Sequence, residues 1–474
     1  MRKKLYSIND SENLSVKEIR GLYKEHVNPV YEDVFSTFSI GQEIIDHAEG
    51  VWIYSKSGKK ILDATGGQGV LNHGHNHPRI LAARIKYQQQ KRMEVHKTIF
   101  SPYLAALSHN VAAVLPEDMD YPFFCNSGAE AIEGAIKMAY KFHNGDRKHI
   151  LHSDISYHGK LLGAGSITSS KELHFNFPKI PGTQAFEYGN IESVKQLIDR
   201  LRKEDGTCDI YALVVEPFSA STFRKCDTVF LQELRKVCDS NGIVLVFDEI
   251  FTGWCKTGNV FYFLDHDVVP DILTTSKSIG GGKASISAFV ARKKILLKTY
   301  GNHHDFVLHS TTYNGFGEEC VTAVEAINIM MEDDYVGKSR KAGSIIENRI
   351  RQMQEKFPGQ IKSYSGAGTL FSIRLNIKTD LLDKLLKLIP LEMFRQEKFV
   401  NQVVLASFSD WLFSHYHIYS NFTPDGINFS PPVIIEENEI NYFFDSFEKT
   451  LETGFLVVTS NFISNRFLKF FERK

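Results

Sequence analysis

The chain has 474 residues, 43% of them hydrophobic and 23% charged, which is enough for a sizeable core and two or three domains. Its net charge of −1 excludes a general attraction to nucleic acid or anionic membrane, and six cysteines (Cys125, Cys208, Cys226, Cys238, Cys255, Cys320) without a Cys-x-x-Cys pair support neither a zinc frame nor a disulfide framework. The basic start Met1-Arg2-Lys3-Lys4 runs into polar residues rather than the apolar core of a signal peptide, and no apolar run is long enough to span a bilayer, so a cytoplasmic protein is expected.

Residues 1–48 read as a polar N-terminal arm with a helical pattern over 16–23. Val51-Trp52-Ile53-Tyr54, Ser57-Gly58-Lys59-Lys60 and Ile61-Leu62-Asp63 predict strand, turn and strand. His73-Gly74-His75-Asn76-His77-Pro78 alternates three imidazoles, but no nearby Cys or carboxylate completes a zinc set, and no metal is assigned. A helix is expected over 103–114, then a strand at Phe123-Phe124-Cys125-Asn126 leading into Ser127-Gly128-Ala129-Glu130. Ala129, Ile132, Ala135, Ile136 and Ala139 recur at helical spacing until Asn144-Gly145 stops the pattern. Free N–H groups and the dipole at such a helix start favour an anion, although Ser127 serves equally as an ordinary N-cap. After a strand over 150–152 comes Tyr157-His158-Gly159-Lys160, where an aromatic beside glycine can lie flat on a planar ring or simply fill the core. Helices are expected over 186–203 and 230–238.

Three ionisable residues then stand at strand ends. Tyr211-Ala212-Leu213-Val214-Val215 stops on Glu216, Ile243-Val244-Leu245-Val246-Phe247 stops on Asp248, and Ile272-Leu273-Thr274-Thr275-Ser276 leads to Lys277 before Ser278-Ile279-Gly280-Gly281-Gly282. Runs apolar on both faces and separated by helical patterns are how parallel strands in a covered sheet read, and ligands sit at the carboxyl ends of such strands. Each of the three taken alone is a surface charge or a cap; together, about one strand-helix-strand unit apart, they meet at one edge. Beyond them, 285–291 predicts a strand, 318–332 a helix, Gly366-Ala367-Gly368-Thr369-Leu370-Phe371-Ser372-Ile373-Arg374 a strand after a glycine turn, and Phe429-Ser430-Pro431-Pro432-Val433 a proline-bounded strand. The last 20 residues, with Phe455, Leu456, Phe462, Ile463, Phe467, Leu468, Phe470 and Phe471, are apolar for a tail and are expected to pack on the protein, a partner or a membrane surface.

A carboxylate opposite a lysine suggests pyridoxal phosphate. The amine holds the aldehyde, the acid keeps the ring nitrogen protonated, and the freed amine then moves the proton between carbon centres. The order Glu216-Pro217, Asp248-Glu249-Ile250-Phe251-Thr252-Gly253, Pro270-Asp271-Ile272, Lys277 and Gly280-Gly281-Gly282 resembles the class III (ω-amino acid type) aminotransferases, a pyridoxal-phosphate family of fold type I. Asn126-Ser127-Gly128-Ala129-Glu130-Ala131-Ile132-Glu133-Gly134-Ala135-Ile136-Lys137 resembles its phosphate-binding motif, Tyr157-His158-Gly159 its ring-stacking motif, and His309-Ser310-Thr311-Thr312-Tyr313-Asn314-Gly315 its segment that crosses a dimer.

The resemblance, over residues 50–435, implies an α/β chain of aspartate aminotransferase-like fold: a large domain with a mostly parallel sheet over 76–318, and a smaller α+β domain built from 1–75, which includes the arm, and from 319–474 with the apolar tail. It implies Lys277 and Asp248 as catalytic residues, with Ser127, Gly128, Ala129, Tyr157, His158, Glu216, Ile250 and Thr312 completing the cofactor site in a homodimer with shared active sites. Small-molecule amine and oxo compounds are the implied partners. Trp52, Lys160, Ser221 and Asn428 fall at substrate positions, and there the pattern departs from the family. Where members using 2-oxoglutarate carry an Arg before the Pro-Pro strand, this chain has Asn428; the Glu that parks that Arg is Ser221. The Arg after His-Gly is Lys160, and the Gln expected after Asp-Glu-Ile is Phe251. An aminotransferase for a monoamine, diamine, aldehyde, ω-amino compound or larger biosynthetic intermediate is therefore expected. The alternatives are an aminomutase, racemase or decarboxylase on the same fold, or a cofactor-binding scaffold without turnover.

Overall fold

The structure, a computed structural model, describes residues 5–116, 118–169, 177–377, 397–423 and 426–464. Three sheets organise these residues. The strands of the largest are β4 (Tyr121–Cys125), β5 (His149–Ser153), β6 (Thr183–Phe186), β7 (Ile210–Val215), β8 (Val244–Asp248), β9 (Ile272–Thr275) and β10 (Ser287–Ala291), in spatial order β4-β10-β9-β8-β7-β5-β6. Every pairing from β9 to β6 is parallel, whereas β10 runs antiparallel to both its neighbours. β7 to β10 are buried along their whole length because helices cover both faces, which explains the apolar runs of β7 and β8; β9 and β10 also bury Thr274, Thr275 and Ser287.

The Gly128–Phe142 helix lies on one face with Ala131, Ile132, Ala135, Ile136 and Ala139 turned inward. Its small residues let it approach the sheet closely. A Cβ at Gly134 would fall 2.2 Å from the Phe289 ring, so that position admits only glycine. On the other face, the Thr228–Asn241 helix buries Phe230, Leu231, Leu234 and Cys238 and ends on Gly242 at φ 60, a left-handed C-cap.

The expected hairpin forms as β2 (Trp52–Ser55) and β3 (Lys60–Asp63), joined by an unforeseen outer strand β1 (Ile45–Glu49) and by the short β13 (Ile418–Tyr419), which pairs parallel to β3. Segments far apart in sequence thus share one sheet. β11 (Ile361–Ala367), β12 (Leu370–Leu375), β14 (Asn421–Phe422) and β15 (Gly426–Phe429) build the third, so the glycine turn at 368–369 joins two strands where one was expected. β15 ends at Phe429, before Pro431 and Pro432. The prolines follow the strand rather than lie in it, because a proline has no N–H for a ladder.

Two helices of the arm start on Ser7 and Ser15 capping boxes, and Asp410 accepts the Ser39 backbone N–H and hydroxyl, tying the arm to the Glu397–Tyr416 helix. The tail is helical over Phe455–Phe462 and packs on its own chain, Phe455 against Phe408 and Phe462 against Phe38. Phe467, Leu468, Phe470 and Phe471 lie outside the described residues. His73 faces the Ala326 carbonyl and His75 the Asp63 carboxylate, both at 2.9 Å, in the loop before the Pro78–Gln89 helix. Among the described residues, no helix is long and apolar enough to cross a membrane.

Candidate active site

The parallel register brings the three strand ends together. Val215 pairs with Phe247 and Asp248 with Thr274, so Glu216, Asp248 and Lys277 emerge side by side at the carboxyl edge of β7, β8 and β9. They line a cleft of about 450 Å³ with Ser127, Gly128, Ala129, Tyr157, His158, Lys160 and Ile250. Ten of the residues expected at the site therefore meet in one place.

Asp248 is buried and clamped. One carboxylate oxygen lies 2.7 Å from His158 Nδ1 and the other accepts the Ile250 N–H at 3.0 Å. An ionised acid can only accept, so His158 presents Nδ1–H to it, leaving Nε2, which has no partner among the described residues. Glu216 is also buried; its carboxylate accepts the N–H groups of Tyr157 and Ala220, both at 2.8 Å. Burial raises its pKa, with His158 pulling it down and Asp248 pushing it up.

Lys277 donates from Nζ to the Gln68 carbonyl at 2.9 Å and lies 5.3 Å from the Phe251 ring centroid. No carboxylate comes within ion-pair distance of it among the described residues. Burial lowers its pKa, against the pull of the Asp248 and Glu216 charges, and so favours the nucleophilic form of the amine. Its backbone sits at φ 53, a left-handed conformation that a lysine adopts only when its surroundings enforce it.

Ser127 caps the Gly128–Phe142 helix, accepting the Glu130 N–H at 3.3 Å, while Glu130 returns a bond to the Ser127 N–H. The next N–H groups, of Gly128 and Ala129, belong to the first turn and have no helical acceptor. Thr312 is exposed and does not line this cleft. Nor do Trp52, which packs in the hairpin with Lys60 Nζ 4.0 Å from its ring centroid, Ser221, beside Ser219, or Asn428 in β15.

The sequence reasoning missed two features of the site. Gln68 belongs to a turn over residues 66–69 whose φ values are all positive, and the run Gly66-Gly67-Gln68-Gly69 could have signalled it. Lys256, only 2% exposed, sends its Nζ to the neighbouring Gly69 carbonyl. Nothing in its local sequence marks it as buried.

The aminotransferase class-III family model matches residues 39–451. The chain belongs to the class III aminotransferases. These are pyridoxal-phosphate-dependent transaminases, and solved class III structures share this fold. An (S)-enantioselective omega-transaminase from Thermomicrobium roseum superposes with a TM-score of 0.79 at 22% identity, over 93% of this chain and 99% of that one. For an ornithine aminotransferase from Toxoplasma gondii the values are 0.78, 22%, 97% and 100%, and for an acetylornithine aminotransferase from Elizabethkingia anophelis 0.73, 22%, 92% and 99%. Another structure of the Toxoplasma gondii protein is described with partial occupancy of PLP at its active site.

The residues of this class III chain fit that cofactor on their own geometry. An amine of lowered pKa and a clamped carboxylate line the same cleft. At the helix start Gly128 and Ala129 offer N–H groups without a helical acceptor to an anion, on a tightly packed backbone where a Cβ at Gly128 would fall 2.8 Å from Ile250 Cδ1 and one at Gly159 2.6 Å from Ala129 Cβ.

Proposed function

We propose that this transaminase moves an amino group between an amine or ω-amino compound and an oxo acceptor other than the 2-oxoglutarate and glutamate pair. The observation that carries this is Asn428. It stands where the family resemblance places a carboxylate-gripping Arg, it is 7% exposed, and its Oδ1 has no partner among the described residues. The cations lining the cleft are Lys160 and Lys277, and no described arginine is among them. Neither lysine offers the planar fork that grips a carboxylate with two bonds.

Pyridoxal phosphate, when bound, supplies an aldehyde that captures amines and a ring that accepts electrons from the bond being broken. The chain's own groups do the rest. Lys277 Nζ would hold the cofactor and, once released, carry a proton to and from the substrate carbon. Asp248 would face the ring nitrogen, its carboxylate held in orientation by His158 and the Ile250 N–H. The Gly128 and Ala129 N–H groups and Ser127 would take the phosphate, and Tyr157 would cover the ring. Glu216 fixes the Tyr157 backbone through its N–H.

The reading includes a homodimer in which Thr312 serves the cleft of a second copy. Its support is the exposure of Thr312 and of the apolar Phe100, Phe306, Val307 and Tyr313 on nearby loops. It also divides the chain into a large domain over 76–318 and a smaller one from 1–75 and 319–474, a division supported by the pairing of β3 with β13.

The test is a panel of monoamines, diamines and ω-amino acids with oxo acids that lack a second carboxylate, run against 2-oxoglutarate. Efficient turnover of 2-oxoglutarate refutes the substrate reading. Borohydride reduction of the loaded enzyme should attach the cofactor to the peptide containing Lys277, and attachment elsewhere refutes the site.

A further inference from the structure

Lys256 is a buried amine for which the chemistry above has no use. It is among the largest side chains with almost no exposure, and no carboxylate pairs with it among the described residues. Such an amine is costly to bury, and a methionine would fill the same space without the cost. Its surroundings show what the nitrogen does.

Nζ donates to the Gly69 carbonyl, which also accepts the Ser278 hydroxyl at 2.9 Å; the preceding carbonyl, of Gln68, accepts Lys277 Nζ at 2.9 Å. Two successive carbonyls of one turn thus hold two amines, and the Phe251 ring stands beside both, its centroid 5.6 Å from Lys256 Nζ and 5.3 Å from Lys277 Nζ. The turn needs such a hold. Residues Gly66, Gly67, Gln68 and Gly69 have φ of 53, 58, 61 and 85, and Gln68 has no glycine freedom to excuse it. A Cβ at Gly69 would lie 2.7 Å from Lys256 Nζ, so the amine approaches the backbone as closely as a glycine permits.

Lys256 is itself anchored, its carbonyl accepting the Thr369 N–H at 2.8 Å and the Ser339 hydroxyl at 2.9 Å. It therefore ties the turn at 66–69 to the segment after β8 and to the hairpin turn between β11 and β12.

We propose that Lys256 is a positioning residue for the Lys277 amine: by holding the Gly69 carbonyl it fixes the turn at 66–69, so that the Gln68 carbonyl keeps Lys277 Nζ in place beside Phe251. This rests on the reading of Lys277 as the cofactor amine. Burial and the nearby Lys277 charge both press Lys256 toward its neutral form, in which it can still donate to a carbonyl. Asp248 and Glu216 pull on the Lys277 charge, Lys256 lies close enough to feel it, and Tyr157, His158 and Lys160 are the other charged or titratable groups lining its cleft.

The test compares Lys256→Met, which removes the donor, with Lys256→Gln, which keeps an N–H. The first readout uses apoprotein: the pH dependence of acetic anhydride labelling at Lys277, followed by peptide mass spectrometry. Gln68 O stabilises the ammonium form of Lys277, so loosening it in Lys256→Met lowers the labelling midpoint, and Lys256→Gln recovers part of the change. In the loaded enzyme, kcat falls about ten- to a hundredfold with KM for the amine unchanged, as misplacing a reacting group by about 1 Å does. An unchanged midpoint overturns the proposal. So does a raised one, which would mean that Lys256 acts as a repelling charge or that the site has opened to water. Borohydride attachment at Lys277 in the unmodified protein separates the two readings: its absence refutes the cofactor amine, whereas its presence with an unmoved midpoint refutes only the role of Lys256.

Discussion

Replacing Glu249 by Gln tests the electrostatics beneath the cleft. Glu249 follows Asp248, is fully buried, and accepts the N–H groups of Tyr262 and Phe263 at 2.8 Å and the Thr252 hydroxyl at 2.9 Å. Burial outweighs those three bonds and pushes its pKa from 4.5 up to about 7, with the Asp248 charge adding to the rise. A raised carboxyl contributes its full stability below the unfolded value and loses it as pH climbs through the folded one, so ionising Glu249 opposes folding. At about 1.4 kcal/mol per unit, the shift is worth roughly 3 kcal/mol, of which about 2.5 kcal/mol is lost between about pH 5 and about pH 8. Glu249→Gln abolishes that loss. It also turns an amide N–H₂ toward an N–H donor, forfeiting one accepted bond at a cost of about 1–3 kcal/mol at either pH. Urea unfolding followed by tryptophan fluorescence should therefore find the variant less stable at the lower pH and the gap narrowed by about 2–3 kcal/mol at the higher. Glu216 is present in both proteins, so its own titration cancels. A gap of equal size at both pH values would refute the argument.

Asp248→Asn keeps the shape of the side chain but removes the anion facing His158; kcat should fall about 10- to 150-fold, the equivalent of losing a charge-assisted bond of about 1.5–3 kcal/mol, and undiminished turnover would refute the role. Gly128→Ala places a methyl 2.8 Å from Ile250 Cδ1. If about 1.4 kcal/mol of the usual overpacking cost falls on binding, the cofactor Kd measured by absorbance titration weakens about tenfold, and an unchanged Kd would mean that Ile250 yields to the methyl without disturbing the helix start.

Much of this protein could be read before it was folded. β7 and β8 were legible because a strand covered on both faces is mostly apolar, and Glu216 and Asp248 stood out at their ends; β9 showed the same signal only in Ile272 and Leu273, its two threonines being buried as well. The start of the Gly128–Phe142 helix was legible for a similar reason: its first turn needs Ser127 as cap, and its small residues let it lie close to the sheet. The two short strands β1 and β6 left no such trace. β1 is exposed along most of its length, and β6 is only partly covered, so neither carries an apolar run.

Local pattern thus marked the covered strands, the capped helices and the ionisable residues at their ends, since periodicity and capping act within a few residues. Folding alone settled which distant groups meet. Gln68 and Lys277, or Gly69 and Lys256, are separated by most of the large sheet, and no local rule relates a turn's carbonyl to an amine that far along the chain. Whether a lysine is solvated or buried depends on what packs over it: the Lys256 side chain is sealed by a turn from the N-terminal third, while its carbonyl is taken by a hairpin from the C-terminal third.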